Sequence, residues 1–398
     1  MTKNTRNEFY TLPKEEQKNR LKEIALVFLK LGSTAFGGPA AHVAMMDDEI
    51  VKKRKWIEKE KFLDLYGATN LLPGPNSTEL AIHLGYERGG WLGLIIAGAC
   101  FILPAMLIVM VFAVIYTMYG SLPEVSGIMY GIKPVIIAVI IQALIRLGKS
   151  AAKNISTRIL GIMVIILSFF GLHELILLAL AGVCMMLINN RNKLRSSNVS
   201  MFVTFLPIAT FTVKSVSENR MTLSSLFLTF LKIGSVLYGS GYVLLAFLEA
   251  DFVKRYSVLN SQQLLDAISV GQFTPGPVFT TATFVGYIIQ GIPGAILATI
   301  GIFLPSFVLV GILNPVIPKL RNSSWISGLL DGINVASWGL MAVVSLKLTI
   351  SAVVDIPTII LAIISLFIVF RYKINTAWLV LSGGIIGLII SSMSFLHG

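Results

Sequence analysis

The chain has 398 residues, of which 55% are hydrophobic and only 13% charged, with a mean hydropathy of +0.80. A soluble domain carries about 25% charged residues, so the composition excludes a soluble enzyme, a disordered chain and a nucleic-acid binder. The net charge of +12 does not restore the last of these. The basic residues sit in short segments between long apolar runs, the pattern of loops facing an anionic membrane surface.

The chain opens on a polar segment containing Lys14, Glu15, Glu16, Lys18, Arg20 and Lys22. Residues 11–23 are expected to form an amphipathic cytoplasmic lead-in, bounded at 1–22. No apolar h-region precedes it, so no cleaved signal peptide is expected, and no lipidation motif is present. A first transmembrane repeat is expected over 23–190, a linker over 191–222 and a second repeat over 223–396. Within these, segments 21–46, 125–145, 159–173, 174–190, 223–248, 325–346, 356–370 and 375–396 are apolar enough for membrane spans. Residues 89–123 and 267–318 contain no charged residue at all, and the second run is long enough for two passes.

The two halves repeat at an offset of about 202 residues. Phe28-Leu29-Lys30-Leu31-Gly32-Ser33 returns as Phe230-Leu231-Lys232-Ile233-Gly234-Ser235. Phe62-Leu63-Asp64 returns as Leu264-Leu265-Asp266, and Pro73-Gly74-Pro75 as Pro275-Gly276-Pro277. After the prolines the offset slips to 201: Gly85-Tyr86 matches Gly286-Tyr287, and Leu103-Pro104 matches Leu304-Pro305. Membrane proteins built from two such repeats are characteristically transporters.

Charge bias gives the orientation of each half. Arg146, Lys149, Lys153 and Arg158 mark one loop of the first half as cytoplasmic, and Arg191, Lys193 and Arg195 mark another. In the second half the bias reverses: Lys319, Arg321, Arg371 and Lys373 lie in the loops whose first-half equivalents carry no Lys or Arg. The equivalent of the 146–158 loop holds only Lys347. The second half is therefore expected to be inverted. Two inverted even-numbered halves need one extra crossing, for which 199–216 is the candidate, giving six plus one plus six.

Pro73-Gly74-Pro75-Asn76-Ser77-Thr78 interrupts the apolar segment 62–87. Pro-Gly-Pro cannot continue a helix, and a broken helix is tolerated in a bilayer only where protein or a watery cavity surrounds it. The half-helix that follows starts with unpaired N–H groups and a positive dipole end, an anion site without a cation. Asn76, Ser77 and Thr78 add neutral donors, and Thr280 and Thr281 follow Pro277 in the second copy. A structural kink is the simpler reading, but two breaks at equivalent repeat positions favour a transport site. Lys30 and Lys232 are intramembrane cations. They are read either as substrate ligands or as partners of an acid such as Glu79, Asp64 or Asp266. Gly37, Gly38, Gly239 and Gly241 allow close approach or a further helix break. Glu79, with Asp64 and Asp266, is a candidate for coupling. Glu79 has no acidic counterpart in the second half, and charge balance at a helix N-terminus is the plainer reading.

Cys100 and Cys184 both lie in apolar runs and are expected to be buried small hydrophobes. His42, His83, His173 and His397 are scattered. No metal, nucleophile or cofactor constellation is visible, and no Walker sequence, so neither an enzyme nor an ATP-driven pump is expected.

Several stretches together resemble the chromate ion transporter family, in its long two-domain type. In the first half they are Thr34-Ala35-Phe36-Gly37-Gly38-Pro39-Ala40-Ala41-His42 and Leu71-Leu72-Pro73-Gly74-Pro75-Asn76-Ser77-Thr78. In the second they are Tyr238-Gly239-Ser240-Gly241-Tyr242, Gly271-Gln272-Phe273-Thr274-Pro275-Gly276-Pro277 and Gly301-Ile302-Phe303-Leu304-Pro305-Ser306. The resemblance covers about residues 22–395. It implies an all-α, multi-pass inner-membrane carrier that exports chromate and confers resistance to it. The residues alone leave chromate and sulfate undistinguished, since both are tetrahedral dianions. A sulfate carrier, an anion channel and a membrane-embedded reductase are the alternatives. The expected partners are chromate or a sulfate-like oxyanion and the lipid bilayer, with no nucleic acid; a homodimer is compatible with the sequence.

Overall fold

The computed structural model describes residues 9–120, 122–191, 221–238, 241–313, 323–372 and 374–396, which form helices and no strand. Gly239, the 199–216 segment, Lys193, Arg195, Lys319, Arg321, Lys373 and His397 lie outside the described residues.

Helix α1 (Lys14–Thr34) follows Pro13 and carries Glu15 and Glu16 in its first turn, where the helix dipole favours acids. The lead-in and the first apolar segment are thus one helix. It buries Ile24, Val27, Phe28 and Leu31, then stops. Gly37 and Gly38 take φ of 106° and 75°, a left-handed turn suited to glycine. The chain returns in α2 (Gly38–Met46), which widens into π-helical turns over Asp47–Lys53. The 21–46 segment therefore folds back on itself, and does not span as its hydropathy alone predicts.

A second hairpin follows. Helix α3 (Lys59–Thr69) runs to the Pro-Gly-Pro break, and α4 (Asn76–Tyr119) begins directly after it. Residues 76–88 lead back to the starting level. Gly89 (φ −139°, ψ 20°) and Gly90 (φ 58°, ψ −149°) then reverse the chain into 91–119. Gly85 and Gly93 meet backbone to backbone across this reversal, so neither position has room for a Cβ. The hairpins share one base. Glu23 accepts from Arg54 at 2.8 Å, from Arg88 at 3.0 Å and from the Trp56 indole at 3.3 Å, and Lys61 pairs with Glu87. Residues 14–88 thus enter and leave on one side.

The 29 residues from 91 to 119 extend about 43 Å at 1.5 Å per residue, enough to cross the roughly 30 Å hydrocarbon core. They lead into α5 (Pro123–Ala151) and the short helices α6 (Ile155–Phe169) and α7 (Glu174–Asn189).

The second half repeats the plan. Helix α8 (Leu223–Val236) is answered by α9 (Leu244–Leu248) and π-helical Glu249–Arg255; α10 (Ser261–Phe273) is answered by the start of α11 (Thr281–Leu313). Gln290 (φ −139°, ψ 20°) and Gly291 (φ 61°, ψ −151°) reproduce the reversal at Gly89 and Gly90. Helices α12 (Ser324–Ala352), α13 (Ile356–Arg371) and α14 (Thr376–Leu396) complete it. Asn154 and Asp355, at equivalent positions, close capping boxes with Thr157 and Thr358.

Equivalent long helices run antiparallel. Trp91 packs on Gly311, and further along Gly98 packs on Phe307, so the two repeats are inverted. Since two segments per half fold back as hairpins, the six-plus-one-plus-six count is too high. Each half loses two crossings, so its count stays even and the inversion still calls for one crossing between the halves.

Behind the hairpins the halves exchange helices. First-half α5 packs on second-half α13 and α14, and second-half α12 packs on first-half α6 and α7. Small residues set these contacts: Gly127 and Gly131 lie against Gly383, Gly387 and Ser391, and Gly328 and Gly332 against Ala181, Gly182 and Met185. Close backbone approach of this kind is how helices associate in lipid, where burial of apolar surface gives no advantage. Outward faces are apolar: Leu103, Leu107, Val111 and Ile115 form one exposed stripe, and Ile292, Ile296, Ile300, Leu304, Val308 and Ile312 its counterpart. Cys184 lies on such an outward face and is exposed, while Cys100 is half-buried. Lipid-facing surface explains the departure from the expected burial.

Candidate functional site

Four hairpin tips converge where the repeats meet. The Gly74 N–H donates to the Leu237 carbonyl at 2.8 Å, and the Gly276 N–H donates to the Ala35 carbonyl at 2.9 Å. Leu237 and Ala35 are equivalent residues, at the ends of α8 and α1. Each Pro-Gly-Pro break is therefore fastened to the first hairpin of the other repeat. Gly74 has φ 137° and Gly276 φ 89°. A Cβ at Gly276 would stand 2.6 Å from the Ala105 Cβ, and one at Gly74 would strike Ser306 and Glu79. Glycine is needed here both for conformation and for approach.

The breaks start two half-helices at this centre. In the first, the Thr78 and Glu79 N–H groups bond Pro75 O at 2.8 and 3.0 Å. The N–H groups of Asn76 and Ser77 are first-turn donors with no intrahelical acceptor. In the second, the chain passes through a tight turn at Val278–Thr280 before α11. The Thr280 and Thr281 hydroxyls donate to Pro277 O and Val278 O, both at 2.8 Å. Their protons are committed to the backbone, unlike the free donors that the sequence suggests.

The other residues named from the sequence have surroundings of their own. Asn76 extends its side-chain amide to Asn70 Oδ1 at 2.8 Å. Lys30 pairs with Glu49 at 3.1 Å and Lys232 with Asp251 at 2.6 Å, both across the first hairpin of their own repeat. The Lys30 side chain is 59% exposed and that of Lys232 27%. Both thus have acid partners, but not the acids proposed from the sequence. Asp64 lies exposed on α3. Asp266 takes the Tyr116 hydroxyl at 2.8 Å and Lys133 at 3.0 Å, about two turns before the second break. Gly241 is buried against Val278 and Phe279, beside the second half-helix.

A family model described as "Chromate transporter" matches residues 22–186 and 224–388. The chain belongs to the chromate transporter family. A "Probable chromate transport protein" of Synechococcus elongatus is 31% identical over 350 residues, covering 87% of this chain and 89% of that one. A "Chromate transport protein" of Cupriavidus metallidurans is 30% identical over 376 residues, 93% of each. A shorter relative, the "Uncharacterized transporter YwrA" of Bacillus subtilis, is 28% identical over 160 residues, 39% of this chain and 90% of that one. No solved structure matches the chain. As a chromate transporter family member with several long apolar helices, the protein is a multi-pass transporter of the cell membrane.

Within this family frame, the two-fold pattern is broken by chemistry. The first half-helix is lined by His42, Ser77, Thr78 and Glu79, all buried. His42 Nε2 lies 3.0 Å from Ala35 O and Nδ1 3.2 Å from Ser77 Oγ. A carbonyl only accepts, so in the neutral imidazole Nε2 donates and Nδ1 takes the Ser77 proton. Ser306, from the other repeat, donates to Glu79 Oε1 at 3.4 Å. The Thr78 hydroxyl and Glu79 Oε2 are buried with no hydrogen bond among the described residues. At equivalent places the second repeat carries Leu244 for His42, while Ala105 faces its break where Ser306 faces the first. His42 and Ser306 were not singled out by sequence reasoning. The available signal was their place inside the two repeat motifs, at positions where the halves differ.

Proposed function

We propose that this protein is a secondary carrier that exports chromate across the cytoplasmic membrane and so confers resistance, with sulfate or a related oxyanion competing for the same site. The observation that carries this reading is the polar half-helix start at Asn76–Thr78, held at the junction of two inverted repeats by the Gly74–Leu237 and Gly276–Ala35 bonds. A tetrahedral dianion entering this place loses strong hydration. The Asn76 and Ser77 N–H groups, the Thr78 hydroxyl and the positive helix end supply replacement donors, and hydrogen bonds to a charged acceptor are the stronger kind. The names of the long relatives support the choice of chromate.

Transport follows from rocking of one repeat against the other about the interlock, which exposes the site to each side in turn. The membrane potential supplies about 2.3 kcal/mol per charge for each 100 mV, so a dianion leaving a negative interior is driven outward without ATP.

Uptake of labelled chromate into inverted vesicles, against labelled sulfate and with or without a proton gradient, tests the reading. Saturable chromate uptake that sulfate inhibits is the expected result. Unchanged chromate accumulation in cells, with the protein shown to be in the membrane, would count against export.

A further inference from the structure

Glu79 poses a chemical conflict with the site just described. Its carboxyl group is fully buried one turn into the half-helix 76–88. It has one neutral donor, Ser306, at 3.4 Å, and Oε2 accepts nothing among the described residues. No Lys or Arg forms an ion pair with it there. The other groups around it are named readily. Tyr238, from the opposite repeat's tip, is within electrostatic reach; His83 lies one turn further along the same helix; His42 stands behind Ser77. A carboxylate and a dianion cannot both occupy one positive helix end in a low-dielectric interior, because like charges there repel strongly and an unpaired buried charge is costly in itself.

We propose that Glu79 is a proton site linked to anion binding: the protein takes up a proton on Glu79 as the oxyanion enters, and releases it when the anion leaves. This rests on the oxyanion site proposed above. With the site free of anion and the interlock opened to water, the Glu79 carboxylate serves as the negative partner of the helix end. With the dianion present, one proton from solvent bonds to the carboxylate, and the resulting acid offers an O–H to the bound anion or to Ser306. Anion and proton therefore travel together. The second repeat holds Thr280, Thr281 and Ala282 in the corresponding stretch and has no such group, so the linkage is about one proton per anion. The placement of Glu79 against Ser306 and Gly74, at the contact between repeats, is where opening of the interlock would let water reach it.

The test uses the purified full-length protein in weakly buffered solution with a pH indicator. Sulfate is the first probe, because it stays a dianion throughout and every proton taken up belongs to the protein. Chromate in the neutral to alkaline range is the second. The wild type is expected to take up about one proton per anion bound and to bind more tightly as the pH falls. Glu79→Gln is expected to bind at least as tightly, with no proton uptake and a flat pH dependence. Binding without proton uptake in the wild type overturns the proposal, as does undiminished uptake in the variant. If Glu79→Gln does not fold, Glu79→Ala is measured in its place, and the wild-type stoichiometry still decides by itself. Binding of neither anion by the wild type at any pH would overturn the oxyanion reading, and the linkage with it.

Discussion

The Gly74 amide donates to the Leu237 carbonyl oxygen across the repeat boundary at 2.8 Å, and its counterpart, Gly276 to Ala35, is formed at 2.9 Å. Two hydrogen bonds of the same kind, exchanged between the halves, mean that neither break can move without displacing the other repeat's first hairpin. The breaks and the first hairpins are thus one mechanical unit.

Substitution at these glycines should disrupt that unit. Gly74→Leu and Gly276→Leu each place a side chain at positive φ and against a neighbouring repeat, and strain alone costs about 1–3 kcal/mol. Both variants should lose transport in the vesicle assay. Gly276→Ala, which meets Ala105 at 2.6 Å, should still lower the melting temperature. Full transport in either leucine variant would show that the breaks do not need close contact.

The lysines should behave unequally. Lys232→Met leaves Asp251 buried, with Arg255 at 3.7 Å as its one remaining ion-pair partner among the described residues. Removing one member of a buried pair costs about 3–5 kcal/mol. Lys30→Met leaves Glu49 bonded to Arg54 at 3.0 Å, and Lys30 is largely exposed, so the loss should be roughly 0–1 kcal/mol. Melting temperatures of the two variants check the order. Rescue of Lys232→Met by Asp251→Asn would identify the pair as structural, whereas a transport loss that persists in the rescued protein would assign Lys232 a part in handling the anion.

The hairpin base should be acid-sensitive. Burial works to raise the Glu23 carboxyl, but hydrogen bonds and charge from Arg88 and Arg54 outweigh it and hold the group below its ordinary range. A depressed carboxylate stabilises the fold above its unfolded pKa, and that stabilisation is lost as the pH falls through the folded value. Melting temperature should therefore drop on acidification, and Glu23→Gln should be less stable at neutral pH with a shallower acid dependence. Identical acid profiles for the two proteins would remove Glu23 from the account.

Asn190 bonds to Ser324, near one end of the helix bundle, and the Met221 carbonyl accepts from Gln290, near the other. Reporter fusions after Arg195 and after Gly398 should accordingly report opposite sides of the membrane. Both reporters on one side would contradict an odd number of crossings between them.

The repeat, the inversion and the breaks were legible because they are written in local chemistry: prolines remove donors, glycines permit reversals, and Lys/Arg bias marks sides. The hairpins were not. A segment such as 21–46 is apolar whether it crosses or folds back, and hydropathy records transfer from water, not direction. The partners of Lys30 and Lys232 were missed for a related reason. Glu49 and Asp251 lie on returning arms, and their contacts exist only once the segment reverses at Gly37 or near Gly241. The asymmetry between the two half-helices was partly visible, since Glu79 has no acidic counterpart. The contribution of Ser306 required the packing of one repeat on the other.

The exchange of helices behind the hairpins constrains how the protein is made. Gly127 and Gly131 on α5 find their partners on α14, more than 250 residues later in the chain. During synthesis the first half must wait in the bilayer with a groove of exposed backbone that only the second half can close. A half-length chain of the same design would have the same open groove. Nothing within such a chain would fill that groove, and the complementary half, of opposite orientation, would have to come from a second molecule.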